Sequence, residues 1–103
     1  MEKVIRNGNV AILISPSFGA GWYTWNHNEE IIFSPKIVEM VEQGKRDEID
    51  TKWIEENLGS KDVYCGGADD LQISWLPINT KFFIEEYDGS ESIRIENDLI
   101  LIA

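Results

Sequence analysis

The sequence predicts an α+β fold, a mainly antiparallel β-sheet with two consecutive short helices inserted. Three observations carry that expectation. Asn7-Gly8 and Asp88-Gly89 are each flanked by strand-like runs, and both dipeptides suit two-residue type I′ hairpin turns. Between these hairpins lie two segments with helix-start and helix-stop residues, Ser34-Pro35 to Gly44 and Asp50 to Gly59. The residues after Gly67 return to apolar alternation of period two.

Taken in order, residues 3–6 and 9–14 form the first hairpin around Asn7-Gly8. Val10 to Ile14 is continuously apolar, which predicts a central strand covered on both faces. Residues 15–28 are rich in Gly, Ser and aromatic side chains and predict a long ordered loop, with a strand at 22–25. Ser34 caps the first helix and Pro35 takes its first position. Ile37, Val38 and Val41 give that helix one apolar face, and Gly44 ends it. Lys45-Arg46-Asp47-Glu48 reads as a solvated charged turn. The second helix spans 50–57, capped by Asp50 or Thr51, with Ile49, Trp53, Ile54 and Leu58 inward and Gly59 as its stop. A short strand is expected at 63–65. Another carries Leu71, Ile73 and Trp75 on one face until Pro77 breaks it. The second hairpin pairs residues 81–87 with 90–95, setting Ile84 against Ile93, Phe82 against Ile95, Phe83 against Arg94 and Glu86 against Glu91. Asn97-Asp98 turns the chain into a buried terminal strand at 99–102.

The chain has 103 residues, one domain's worth, with 9 basic and 19 acidic side chains and a net charge of −10. That balance argues against direct nucleic-acid binding and against anionic membrane surfaces, both of which call for clustered Lys and Arg. No Lys or Arg occurs from Asn7 to Pro35. No apolar run reaches the length of a membrane-spanning helix, and Met1-Glu2-Lys3 opens no signal peptide. A single Cys and a single His leave no intrachain disulfide and no Cys/His zinc site, and the expected compartment is a reducing cytoplasm. No cofactor motif is complete.

Three stretches could carry chemistry. The first is Gly19-Ala20-Gly21-Trp22-Tyr23-Thr24-Trp25-Asn26. Glycines let a backbone approach a ligand and leave amides free to donate, while Trp22, Tyr23 and Trp25 could stack on a ring. The alternative is a kinked loop whose tryptophans complete the core. Gly-x-Gly alone lacks the dinucleotide fingerprint and the phosphate-loop Lys. The second stretch is Tyr64-Cys65-Gly66-Gly67-Ala68-Asp69-Asp70. Cys65 invites a thiol-nucleophile reading with His27 as base, against the plainer one of a small buried hydrophobe. Gly66 and Gly67 suit a shaped loop near the first. The third is the acidic hairpin with Glu85, Glu86, Asp88 and Glu91. Like charges facing across a strand pair are unfavourable, so Glu86 opposite Glu91 calls for exposure, a cation or a basic partner. The spacing is not that of an EF-hand.

Ser-Pro-Ser-Phe-Gly-Ala-Gly-Trp-Tyr-Thr-Trp-Asn at 15–26, Ser-Pro-Lys-Ile-Val-Glu at 34–39 and Glu-Glu-Tyr-Asp-Gly-Ser-Glu-Ser at 85–92 resemble a family of small uncharacterised phage and prophage proteins. The resemblance runs over nearly the whole chain. It implies a counter-defence or host-takeover setting in a bacterial cytoplasm and no particular mechanism.

Three functions follow as expectations. The first is sequestration of a small nucleotide-like signalling molecule by Gly19, Gly21, Trp22, Tyr23, Trp25, Asn26, Gly66 and Gly67, with charge supplied by Arg94, or by Arg6, Lys61, Lys81 or another subunit, and a homo-oligomer completing the site. The second is a protein inhibitor that masks a host defence protein, with Glu85, Glu86, Asp88 and Glu91 presenting nucleic-acid-like negative charge. The third, less favoured, is a small hydrolase acting through Cys65 or through Glu86, Asp88 and Glu91. Of these a non-enzymatic binding protein is the expected class.

Overall fold

The computed structural model describes residues 2–95 and 101–103. The fold is α+β, and every strand pair is antiparallel. The strands divide into two three-stranded sheets. In the first, β1 (Ile5–Arg6) and β3 (Gln72–Pro77) flank β2 (Asn9–Ile14). In the second, β5 (Ser90–Arg94) and β6 (Leu101–Ile102) flank β4 (Lys81–Tyr87). The sheets meet where the Glu91 N–H donates to the Ser15 carbonyl at 2.9 Å, one residue beyond the end of β2.

Both hairpins form as the turn chemistry requires. Asn7 and Gly8 have φ of 52° and 77°, and Asp88 and Gly89 have φ of 52° and 89°, the left-handed pairs of a type I′ turn. The register sets Phe83 against Arg94, Ile84 against Ile93 and Glu86 against Glu91. The Asn97-Asp98 turn and residues 99–100 lie outside the described residues. Leu101, in β6, is buried against β4.

β2 is covered on both faces because both its alternating sets are apolar. Ala11 and Leu13 face one core with Ile31, Ile37, Val38, Val41 and Ile54. Val10, Ile12 and Ile14 face a second core with Ile32, Phe33, Phe82, Ile84 and Leu101. Each fully buried Ile or Leu contributes about 1.5–3 kcal/mol.

The segment between the sheets is more helical than its composition suggests. α1 (Tyr23–Asn26) lies within the stretch expected to be loop and replaces the strand expected at 22–25, and α2 (Glu29–Phe33) forms in residues for which no element was expected. α2 starts on Asn28, whose side chain accepts the Glu30 N–H, with Glu29 and Glu30 favourably placed at the positive end. It sends Ile31 into the first core and Ile32 and Phe33 into the second. α3 (Pro35–Glu42) starts at Ser34 as expected, and α4 (Thr51–Leu58) is capped by Asp50 and stopped by Gly59 at φ 80°.

Two further expectations are corrected. Residues 63–65 form no strand; their partner is a side chain, described below. The charged turn is not wholly solvated, because Arg46 opens a single 3-10 turn, Arg46–Glu48, and its Nε reaches the Leu71 carbonyl at 2.7 Å. Among the described residues no helix is long and apolar enough to cross a membrane.

Candidate functional site

The organising residue is Glu91. It is 2% exposed, and every one of its partners belongs to the glycine-aromatic loop or to the residue that leads into it. Oε1 accepts the Ser15 N–H at 2.9 Å. Oε2 accepts the N–H groups of Trp22 and Thr24, each at 2.9 Å, and the Thr24 hydroxyl at 2.6 Å. Trp22 has no side chain able to cap α1, so this distant carboxylate caps it instead. The backbone of this loop does wrap an anion, through Ser15, Trp22 and Thr24 rather than through its glycines, and the anion is the protein's own.

Glu91 therefore does not present negative charge to a partner. Its unfavourable pairing with Glu86 is relieved by four donors on one side and by rotation of Glu86 on the other, where Oε2 accepts the Gly89 N–H at 2.7 Å. Glu85 is held by Arg94, whose guanidinium is thereby committed to the hairpin. Asp88 contributes its carbonyl, which accepts the Gly19 N–H at 2.7 Å. The acidic hairpin is thus bound largely to itself and to the loop.

Glycines bring three segments into contact. A Cβ on Gly89 would collide with the backbone of Ala20. One on Gly67 would lie 2.8 Å from the Gly21 carbonyl and 2.9 Å from Ser15 Oγ. So the 66–67 turn does sit beside the first loop, with the hairpin tip on that loop as well.

Trp22 has no surface to offer. It is fully buried, and its indole N–H donates to the Ile31 carbonyl at 2.9 Å. Tyr23 is also buried, edge-on to the His27 ring, and burial, with a smaller push from Glu29, raises its phenol pKa. Trp25 is different. It is 43% exposed and lies beside Tyr64, which is 47% exposed, with ring centroids 5.5 Å apart and planes tilted by 30°. The Trp25 indole rests over Gly21, and the Tyr64 ring rests over Gly66; a Cβ at either glycine would strike the ring above it. Asn26 fixes the pair. Its Oδ1 accepts the Tyr64 N–H, and its Nδ2 donates to the carbonyls of Tyr64 and Trp22, all at 2.9 Å. Asn26 thus takes the place of a neighbouring strand for residue 64.

A second exposed pair continues from the same loop. Phe18 and Tyr87 meet edge to face, with centroids 6.3 Å apart. Phe18 precedes Gly19, which is bonded to the hairpin tip, and Tyr87 immediately precedes that tip. Sequence reasoning missed Tyr64, Phe18 and Tyr87 as surface aromatics. The signal for Tyr64 was the glycine two residues on, which leaves space for its ring.

Comparison with protein-family models, curated proteins and solved structures found no match.

Catalytic arrangements gain little support. The Cys65 thiol lies 3.6 Å from the Val63 carbonyl, and among the described residues no hydrogen bond joins it to His27. Burial is the main influence on the thiol and pushes its pKa up, opposed by Thr51 and reinforced by Asp50, which makes it a weaker nucleophile at neutral pH. Among the described residues no group of three or more His, Cys, Asp and Glu gathers to hold a metal. A recess of about 310 Å³ lies between Glu2, Glu30, Ser34, Pro35 and Leu58, away from Trp25 and Tyr64 in its lining.

Proposed function

We propose that this is a non-enzymatic binding protein that masks a partner protein, with Trp25 and Tyr64 as the central contact and Phe18 and Tyr87 as its extension. The observation that carries the reading is the immobilised, exposed Trp25–Tyr64 pair, seated on Gly21 and Gly66 and pinned by Asn26. Ordered aromatic rings lose little entropy on binding and supply large contact area, which is why Trp and Tyr dominate interface energetics. The chain's net charge of −10 selects a basic partner face and speeds the encounter. The resemblance to phage proteins makes a host defence protein the natural class of partner.

Sequestration of a nucleotide-like molecule fits less well. The Ser15, Trp22 and Thr24 amides are taken by Glu91 and the Gly19 N–H by the Asp88 carbonyl, which removes four of the donors that the loop would offer a phosphate. A centroid spacing of 5.5 Å also leaves no slot for a base between Trp25 and Tyr64. Such a ligand could stack only on the outer face.

The test is affinity capture from bacterial lysate with the wild-type protein and with Trp25→Ser, Tyr64→Ser and Lys52→Ala. A stoichiometric partner should bind wild type and Lys52→Ala alike. Each aromatic variant should weaken it by about tenfold or more. Retention should fall as NaCl rises from about 50 to 500 mM. Equal retention by all variants would overturn the assignment. A nucleotide adduct in native mass spectra that survives Tyr64→Ser would restore the small-ligand reading.

A further inference from the structure

We propose that the polar recess between the 3-10 turn at Arg46 and the start of β3 binds a small zwitterion of the α-amino-acid class. The recess holds about 230 Å³ and is lined by Ser17, Arg46, Asp69, Asp70, Leu71 and Gln72. Five of those six side chains are polar, and they offer both signs of charge.

The guanidinium is held in place. Arg46 is half-buried, and its Nε donates to the Leu71 carbonyl at 2.7 Å, which fixes the plane of the group. The Nη donors make no hydrogen bond among the described residues and would serve a ligand carboxylate, the partner that Arg binds most strongly. Asp69 and Asp70 line the same space, yet among the described residues no nitrogen of Arg46 lies within 4.0 Å of a carboxylate oxygen. The opposite charges face one recess without closing it. A molecule bearing both a carboxylate and an ammonium group would join the two sides, its carboxylate on Arg46 and its ammonium on Asp69 or Asp70. Gln72 and Ser17 would serve its remaining polar atoms.

The same chemistry disfavours other occupants. A simple anion meets two carboxylates and a chain of net charge −10. A simple cation meets Arg46. A nucleobase finds no aromatic ring among the lining residues to stack on. A zwitterion carries no net charge and uses every group. The recess shares no lining residue with the aromatic contact, although Ser17 is the chain neighbour of Phe18.

The experiment is a titration of the isotope-labelled protein, followed by NMR, with L-serine, sodium acetate and methylammonium chloride at matched ionic strength. L-serine up to about 20 mM should shift the amide signals of Ser17, Arg46, Asp70 and Gln72 saturably, and each half-ligand should bind about tenfold more weakly or less. Arg46→Gln should abolish the L-serine response. Because Arg46 also supports the Leu71 carbonyl, the exposed double variant Asp69→Asn/Asp70→Asn provides the second arm, with an otherwise unchanged spectrum and a response weakened by about tenfold. No saturable shift with L-serine would overturn the proposal. So would an acetate response equal to that of L-serine, or a double variant that binds as wild type does.

Discussion

Glu91 shows how one side chain can set the shape of a segment nearly seventy residues away. Both its oxygens accept, and all four donors come from Ser15, Trp22 and Thr24. Replacing it with Gln keeps the size but turns an NH₂ group toward an N–H or O–H donor. Glu91→Gln should therefore destabilise the protein by about 2–4 kcal/mol, measured by urea unfolding. A loss below about 0.5 kcal/mol would mean that water can satisfy these donors. None of this was legible in the sequence. The sequence marks Glu91 as an unfavourable neighbour of Glu86 and as one of several outward-facing acidic candidates, and nothing local to β5 marks its side chain as turned inward. The aromatic residues show the same limit. Composition marks the loop as unusual, but only packing separates Trp22, enclosed in the core, from Trp25, three positions on and exposed.

At the level of elements, most of what is encoded locally was readable, α2 with its local Asn28 cap being the exception. Asn-Gly and Asp-Gly turns, the Ser34-Pro35 start of α3, the Asp50 cap of α4 and the two-sided burial of β2 all follow from residues close in sequence. α1 was not readable because its cap lies in β5. The strand expected at 63–65 failed because its backbone partner is the Asn26 side chain, which no periodicity reports. The two hairpin turns separate intrinsic turn strain from tertiary contact. Both Gly8 and Gly89 have positive φ, but a Cβ on Gly8 meets nothing within 4 Å, whereas one on Gly89 collides with Ala20. Gly8→Ala should cost about 1–2 kcal/mol. Gly89→Ala should cost at least about 1 kcal/mol more, because the loop must move as well. Equal losses on thermal unfolding would show that the hairpin tip does not bear on the loop.

For the whole molecule the net charge of −10 acts in two directions. In the free protein like charges repel across the surface, and three ion pairs among the described residues, all exposed, offset little of that repulsion. Raising NaCl from about 20 to 200 mM should therefore raise the Tm of the isolated chain. The same salt should weaken capture of a basic partner. A Tm that falls over this range would indicate that specific ion pairs outweigh the general repulsion. The two salt responses of opposite sign distinguish a charge-steered interface from a fold that merely loosens.

The glycine-aromatic loop is a platform held by Glu91, whose carboxylate accepts the Ser15, Trp22 and Thr24 amides. Native-state hydrogen exchange of the Trp22 and Thr24 amides in wild type and in Glu91→Gln tests it most directly. Both amides should be protected in wild type and exchange about a hundredfold faster in the variant relative to the β2 amides, which serve as the internal reference for global stability. Fast exchange of Trp22 and Thr24 in wild type, or identical relative protection in the two proteins, would contradict it.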